Sequence, residues 1–370
     1  MQRETLEYLA TGKAKAAEHL PFIDGGKEWM DSWLVTKAAK QRTNNSLTTT
    51  SGDGEDRIIN VYQEGKAGRE QQRRAATLPR TVLSSVNAAE APTAVVARHE
   101  MTNWRLLQFE PTSLRSTDDL NSRGSVSIDE LGNHLPAALN RLITRSANAG
   151  GVPDVRATIA DRMAELVDIV DVRVEEDTKR ELLTLYAKLR DGTEHPARSL
   201  SDGTLRFLAL AILEQVPESS GLFCLEEPEN GIAPSRVTAM LDLLQSIPTD
   251  TEDAVNDEDN PLRQVIVNTH SPEVVMRVPQ DSLIVAEPVP ARLNGGQVTT
   301  VRFAALSNTW RTSPRGEANL PLMPEASKGR LLSYLNPISR AEYERQSGKR
   351  LRVLDRADVR QLLLFDPESS

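Results

Sequence analysis

From His195 to Glu287 the chain alternates helix, strand, helix, strand, and few architectures other than a parallel α/β sheet accept that alternation. Leu205, Leu208, Ala209 and Ile212 recur at the spacing of one buried helix face, which predicts a helix over 200–215. Leu222-Phe223-Cys224-Leu225 and Val265-Ile266-Val267 are short, wholly apolar runs of the kind that fill a parallel sheet. Between them Pro234 opens a second helix, with Val237, Met240, Leu241 and Leu244 as its core stripe. Open α/β sheets bind ligands beyond the carboxyl ends of their strands, so the residues that follow each run carry the chemical interest.

Three groups stand at such positions. Ser201-Asp202-Gly203 precedes the first helix, and a helix start made of capping and small residues offers backbone N–H groups and a positive dipole end to a phosphate oxygen. An ordinary N-capped helix has the same sequence. Glu226 and Glu227 end the first apolar run, and neighbouring side chains on a strand point to opposite sides. One acid can hold a Mg²⁺-bound water while the other orients or deprotonates an attacking water. The bland alternative is two solvated acids, followed by a turn at Asn230-Gly231. The second run ends in Asn268-Thr269-His270-Ser271, where Pro272 is expected to break continuation. A lone histidine after a strand is commonly structural; a shared edge with the acid pair is what makes His270 a candidate.

Taken in order, Leu200-Ser201-Asp202-Gly203-Thr204 resembles the signature motif of ABC-type ATPases, and Leu225-Glu226-Glu227-Pro228 resembles a Walker B strand with its catalytic glutamate. Asn268-Thr269-His270-Ser271 resembles the switch-histidine loop, and Glu229-Asn230-Gly231 falls where a D-loop belongs. The chain is similar to the RecF/SMC/OLD-like AAA-type ATPases, strongly over 198–287 and diffusely elsewhere. That resemblance implies a P-loop NTPase-like α/β head with an inserted helical and β lobe, and ATP with Mg²⁺ as cofactors. It implies two heads closing on nucleotide, as a homodimer or by pairing with a complete ATPase subunit. Glu226 would then sit by the metal, Glu227 would be the general base, His270 would sense the γ-phosphate, and Ser201, Gly203 and Asn230 would face nucleotide. Asp202, Thr204, Glu226 and Ala233 depart from the commoner residues of the family pattern.

The phosphate loop G-x-x-x-x-G-K-[ST] does not occur in these 370 residues. The Gly-Lys pairs at Gly12, Gly26, Gly65 and Gly348 lack both the preceding Gly and the following Ser or Thr. The expectation is that the first strand and its loop are cut off, and that the chain alone binds ATP poorly and barely hydrolyses it. The competing expectations are a degenerate partner subunit lending its Ser201 face, and an OLD-like ATPase-coupled nuclease with Glu287 as a metal ligand.

The expected domains are 1–194, a remnant of the core with the inserted lobe; 195–290, the motif-bearing core; and 291–370, an extension. A formal charge of −9 argues against a generally basic nucleic-acid binder. A basic helix expected over 340–364 leaves DNA a weakly supported partner. One cysteine, Cys224, expected as a small buried hydrophobe, fits a reducing compartment. With no leader and no run near the ~18 apolar residues of a membrane span, a cytoplasmic protein is expected.

Before the core, a helix is expected over 4–20 and a packed connection at Trp29 and Trp33. Flexible or polar loops are expected at 43–56, 64–80 and 113–132, and strands at 57–62 and 104–109. Helices are expected at 88–99, 135–145 and 155–170, then a strand pair at 171–174 and 182–189 with a turn at Asp191-Gly192. The acidic stretch 248–261 reads as a solvated loop.

Overall fold

The chain begins with an antiparallel sheet in the order β1 (Leu6–Glu7), β2 (Ser46–Ser51), β3 (Ile58–Tyr62) and β4 (Glu70–Arg74). The computed structural model describes residues 6–7, 46–52, 56–62, 70–124, 127–148, 154–216, 220–255, 260–293, 296–313, 323–327 and 331. Contacts divide the chain into two units, Met1–Arg277 with Arg315–Ala318, and Val278–Pro314 with Asn319–Ser370.

This first sheet corrects three expectations. Leu6 and Glu7 pair with Thr48 and Ser46 as a strand, where the apolar spacing suggested a helix; the rest of 4–20, and Trp29 and Trp33, lie outside the described residues. The stretch Leu47-Thr48-Thr49-Thr50 is a strand, with Leu47 and Thr48 buried, because β-branched threonines favour a pleated surface that a composition-based loop reading overlooks. Glu70–Arg74 is a polar, largely exposed edge strand, the kind of charged edge that resists pairing with another chain. Ile59, Val61, Ala75 and Val82 form the core of this lobe.

Helix α1 (Pro92–Thr102) starts at its proline, four residues later than expected, since the missing N–H costs nothing in the first turn. Strand β5 (Arg105–Leu107) follows, then the short α2 (Pro111–Leu114) and β6 (Asp118–Asp119), which replace the loop expected from 113. α3 (Leu135–Asn148) and α4 (Val155–Leu166) pack on each other, and Asp154 caps α4 through a hydrogen bond from the Arg156 amide. α4 stops before 170 because Ile169 begins β7 (Ile169–Asp177). β7 pairs antiparallel with β8 (Leu182–Leu189), and β9 (Glu194–Pro196) returns along β8 after the Asp191-Gly192 turn.

The core then runs α5 (Asp202–Glu214), β10 (Gly221–Glu226), α6 (Val237–Ser246), β11 (Arg263–Asn268) and α7 (Pro272–Arg277). Pro272 opens α7 where it was expected to break the chain, again as a first-turn proline. The three parallel strands stand in the order β11-β10-β5, so the strand expected over 104–109 forms over 105–107 and is the third strand of the core sheet. The fold class is the expected α/β.

Along β10 burial alternates. Phe223 and Leu225 are buried, with Leu107, as is α5 over nearly its whole length, and burying a side chain such as Phe207 or Phe223 stabilises by about 2–3 kcal/mol. On the other face Leu106, Cys224 and Ile266 lie side by side in register, with Leu106 51% and Ile266 55% exposed and Cys224 half-buried. Cys224 is therefore not the fully buried hydrophobe expected. Parallel sheets are ordinarily covered on both faces, yet among the described residues this row is left exposed.

The end of this sheet remote from the carboxyl edge is tied by polar groups. Arg162 on α4 pairs with Glu214 at 2.7 Å, and Ser246 on α6 donates to the same carboxylate at 2.6 Å. Arg263 is buried at the start of β11 and donates to the carbonyls of Glu214, at 3.0 Å, and Val216. Within the acidic stretch, Asp250 to Ala254 are exposed as expected, while its ends at Pro248, Thr249, Asn260 and Pro261 are half-buried or buried.

In the second unit β12 (Ile284–Leu293) and β13 (Gly296–Ala305) form one long antiparallel hairpin. Glu287 is 3% exposed, bonded by Arg302 at 2.6 Å and by the Ser327 amide at 2.9 Å, so its carboxylate is spent on an ion pair. That corrects its expected place as a metal ligand. The basic stretch 340–364 lies outside the described residues. No described helix is long and apolar enough to cross a membrane.

Candidate functional site

Three strands end together. Leu107 pairs with Leu225, and Glu226 with Asn268, so Gln108, Glu226 and Asn268 follow in line above the apolar row Leu106, Cys224 and Ile266. Glu226 is exposed, and the Gln108 amide nitrogen reaches its Oε2 at 3.4 Å. Beyond it the chain turns sharply. Glu227 has a left-handed backbone, φ 44°, held by its amide on the Asn268 carbonyl at 2.8 Å, and this conformation is costly for a residue with a Cβ. Asn230 closes the turn by donating from Nδ2 to Glu227 Oε2 at 2.7 Å, and its amide bonds the Glu227 carbonyl at 3.0 Å.

These residues line a cleft of about 310 Å³ bounded by Gln108, Glu110, Arg206, Glu226, Glu227 and Asn230. Gln108 and Arg206 are functional candidates that the sequence reading missed. Arg206 donates to the Asn230 carbonyl at 2.9 Å and to the Phe109 carbonyl at 3.4 Å, clamping both sides of the cleft. It is the one charge in the apolar run from Leu205 to Leu213, and that isolation was the available signal. Gln108 gave no signal until the place of its strand beside β10 was known.

The Ser201 turn reaches the same region through two glycines. A Cβ on Gly203 would lie 2.3 Å from the Gly231 carbonyl oxygen, so the start of α5 abuts the turn after Glu227. Gly231 itself has φ 83°. Ser201 caps α5, its Oγ accepting from the Thr204 amide at 3.2 Å and lying 2.8 Å from the Thr204 hydroxyl. Arg115 anchors the turn from outside, donating to the Leu200 carbonyl at 2.9 Å and to Asp202 Oδ1 at 2.5 Å. Ser201 and Asp202 remain exposed, whereas Gly203 is buried by the contact with Gly231.

His270 is exposed and stands two residues past Asn268, in the loop that leads to α7. That loop is bonded to the turn after Glu227, with Thr269 Oγ1 donating to Glu229 Oε1 and the Ser271 amide donating to Thr269 Oγ1 at 3.0 Å. His270 is not among the residues that line the cleft. The acids, Asn230 and the glycine contact thus form one group, and the histidine loop joins it through Thr269.

A family model described as "AAA domain, putative AbiEii toxin, Type IV TA system" matches residues 36–276. No curated protein matches. Among solved structures, an SMC head bound to the C-terminal winged-helix domain of ScpA is 14% identical, with 67% of this chain and 69% of that one covered and a TM-score of 0.34. An SMC head from Pyrococcus furiosus is 12% identical, covering 68% and 73%, with a TM-score of 0.33. One from Pyrococcus yayanosii, with its coiled coil and joint, is 13% identical and has a TM-score of 0.27; there this chain spans 26% of the other's length.

Proposed function

This chain belongs to that AAA-domain family, and from that premise we propose that it is an ABC/AAA-type ATPase head whose carboxyl edge supplies the water-activating half of a composite site. The observation that carries the reading is the cleft in which Glu226 and Glu227 end the central strand, backed by Gln108 and Arg206. Glu226 fits a Mg²⁺ ion, because it is an exposed oxygen donor with no cation bonded to it among the described residues and an amide at its side. Bound Mg²⁺ would neutralise charge on the β- and γ-phosphates of ATP.

The chain's own residues have the remaining tasks. Glu227 is the general base, aimed by its left-handed backbone and by Asn230 on Oε2, which leaves Oε1 to accept a proton from water. Arg206 holds the cleft walls together and adds positive charge beside anionic substrate. The exposed Ser201-Asp202 start of α5 is the face offered to nucleotide held by a second head, whether another copy or a complete ATPase subunit. His270 reads the γ-phosphate, and the Thr269–Glu229 bond carries its position to the turn after Glu227.

The phosphate loop itself is not in these residues, and the exposed row Leu106, Cys224 and Ile266 supports the reading that the site is completed by a covering strand-and-helix layer. The isolated chain is then expected to bind Mg·ATP weakly, with a Kd above about 1 mM, and to turn it over at background rate. A titration with fluorescent ATP checks this; saturable micromolar binding that requires Mg²⁺ would contradict the incomplete-site reading. Of the processes such heads serve, the family description names a toxin–antitoxin setting, and that is the setting we favour for this chain.

A further inference from the structure

We propose that β13 is a dimerisation strand, pairing antiparallel with β13 of a second copy about a two-fold axis at Thr300. The two edges of the β12–β13 hairpin are unlike. Ala305 donates to the Pro324 carbonyl and accepts from the Ala326 amide, both outside the hairpin, so its N–H and C=O point away from β12. Backbone direction alternates along a strand, and therefore Phe303, Val301, Thr299 and Gln297 also point outward. Their partners across the hairpin, Pro288 opposite Val301 and Pro290 opposite Thr299, point outward on the other side. The β12 edge thus lacks two donors, as protected edges do, while the β13 edge keeps all of its own.

Among the described residues the pairing along the β13 outer edge ends at Ala305, and 297–303 carry no hydrogen bond there. Those four outward residues are symmetric about Thr300. A two-fold there sets Val301 against Thr299 of the second copy and Phe303 against Gln297, giving roughly eight ladder hydrogen bonds. The side chains agree with that register. Arg302, the one charge on β13, would face Val298 of the other copy, and it is already paired with Glu287, so no like charges meet. Thr300 would meet Thr300 across the axis, a favourable cross-strand pair. Phe303, 59% exposed, and Val301, 57% exposed, share a face with Ile284, Ala286 and Pro288, and the second copy doubles this into one apolar surface.

This proposal is independent of nucleotide chemistry and is tested without ATP. The full chain is expected to sediment as a dimer at tens of micromolar, and V301P to be monomeric with an unchanged far-ultraviolet circular-dichroism spectrum, since it removes an N–H that β12 does not use. In a C224S background, T300C is expected to form a disulfide-linked dimer on mild oxidation, because facing Cα atoms of a non-hydrogen-bonded pair lie about 4.5 Å apart. A monomeric wild-type chain overturns the proposal. So does a dimer that survives V301P while T300C fails to cross-link, which would place the interface elsewhere.

Discussion

Glu227 joins a strained backbone to an acid at the edge of a cleft, and two substitutions separate the parts. Both Glu227→Ala and Glu227→Gly remove the carboxylate and its bond from Asn230, but only alanine keeps a Cβ at φ 44°. The glycine variant should be more stable than the alanine variant by about 1 kcal/mol, read from urea midpoints. Equal stabilities would mean that the turn is not held left-handed. At Gly203 the expectation is reversed. Alanine there collides with the Gly231 carbonyl, so Gly203→Ala should lose about 2 kcal/mol or more within a single chain. Gly203→Asp would consequently damage the fold before it reported on any partner, and Ser201 is the better probe of that face. Ser201→Ala should cost about 1 kcal/mol as a lost cap. Thr204→Val removes the hydroxyl 2.8 Å from Ser201 Oγ but leaves the exposed face intact, so it serves as the control. The candidate residues were legible because they follow apolar runs or open a helix in an order that resembles a family pattern. That Gly203 is a contact residue, and that Gln108 and Arg206 border the cleft, was not legible, since each depends on a neighbour more than twenty residues away.

Among elements, the parallel core was readable because β10 and β11 contain unbroken apolar runs and its helices carry a clean stripe, as Val237, Met240, Leu241 and Leu244 do, all of them buried. β2 and β4 were not, since a threonine run and a charged edge strand share their composition with loops, and only pairing to β3 makes them strands. α7 was missed for a related reason, as Pro272 looks like a stop from one side and is a first-turn residue from the other. The element that ties the core's far end is Arg263, whose guanidinium satisfies two carbonyls at the end of α5. Arg263→Ala should cost about 2–4 kcal/mol by leaving the buried Val216 carbonyl and the half-buried Glu214 carbonyl unpaired, and Arg263→Lys should recover little because an ammonium lacks the planar fork. Chemical denaturation of the two variants checks this, and full rescue by lysine would show that charge alone suffices.

At the scale of the whole chain, the exposed row Leu106, Cys224 and Ile266 and the polar line Gln108, Glu226 and Asn268 above it form one surface of the parallel sheet. The apolar row suits a helix lying on the sheet, and the oxygen line above it suits the cation that would accompany an anion at that helix's N-terminus, which is the arrangement a phosphate loop produces. The most direct test supplies that layer, by fusing a strand, G-x-x-x-x-G-K-[ST] loop and helix from an AAA-domain relative to the N-terminus. Mg·ATP binding and turnover are then measured for this fusion and for the same fusion carrying Glu227→Gln. The account predicts that both fusions bind Mg·ATP alike and that the one carrying Glu227→Gln hydrolyses it at least about a hundredfold more slowly. A fusion that binds Mg·ATP and turns it over equally fast with or without the substitution would contradict it.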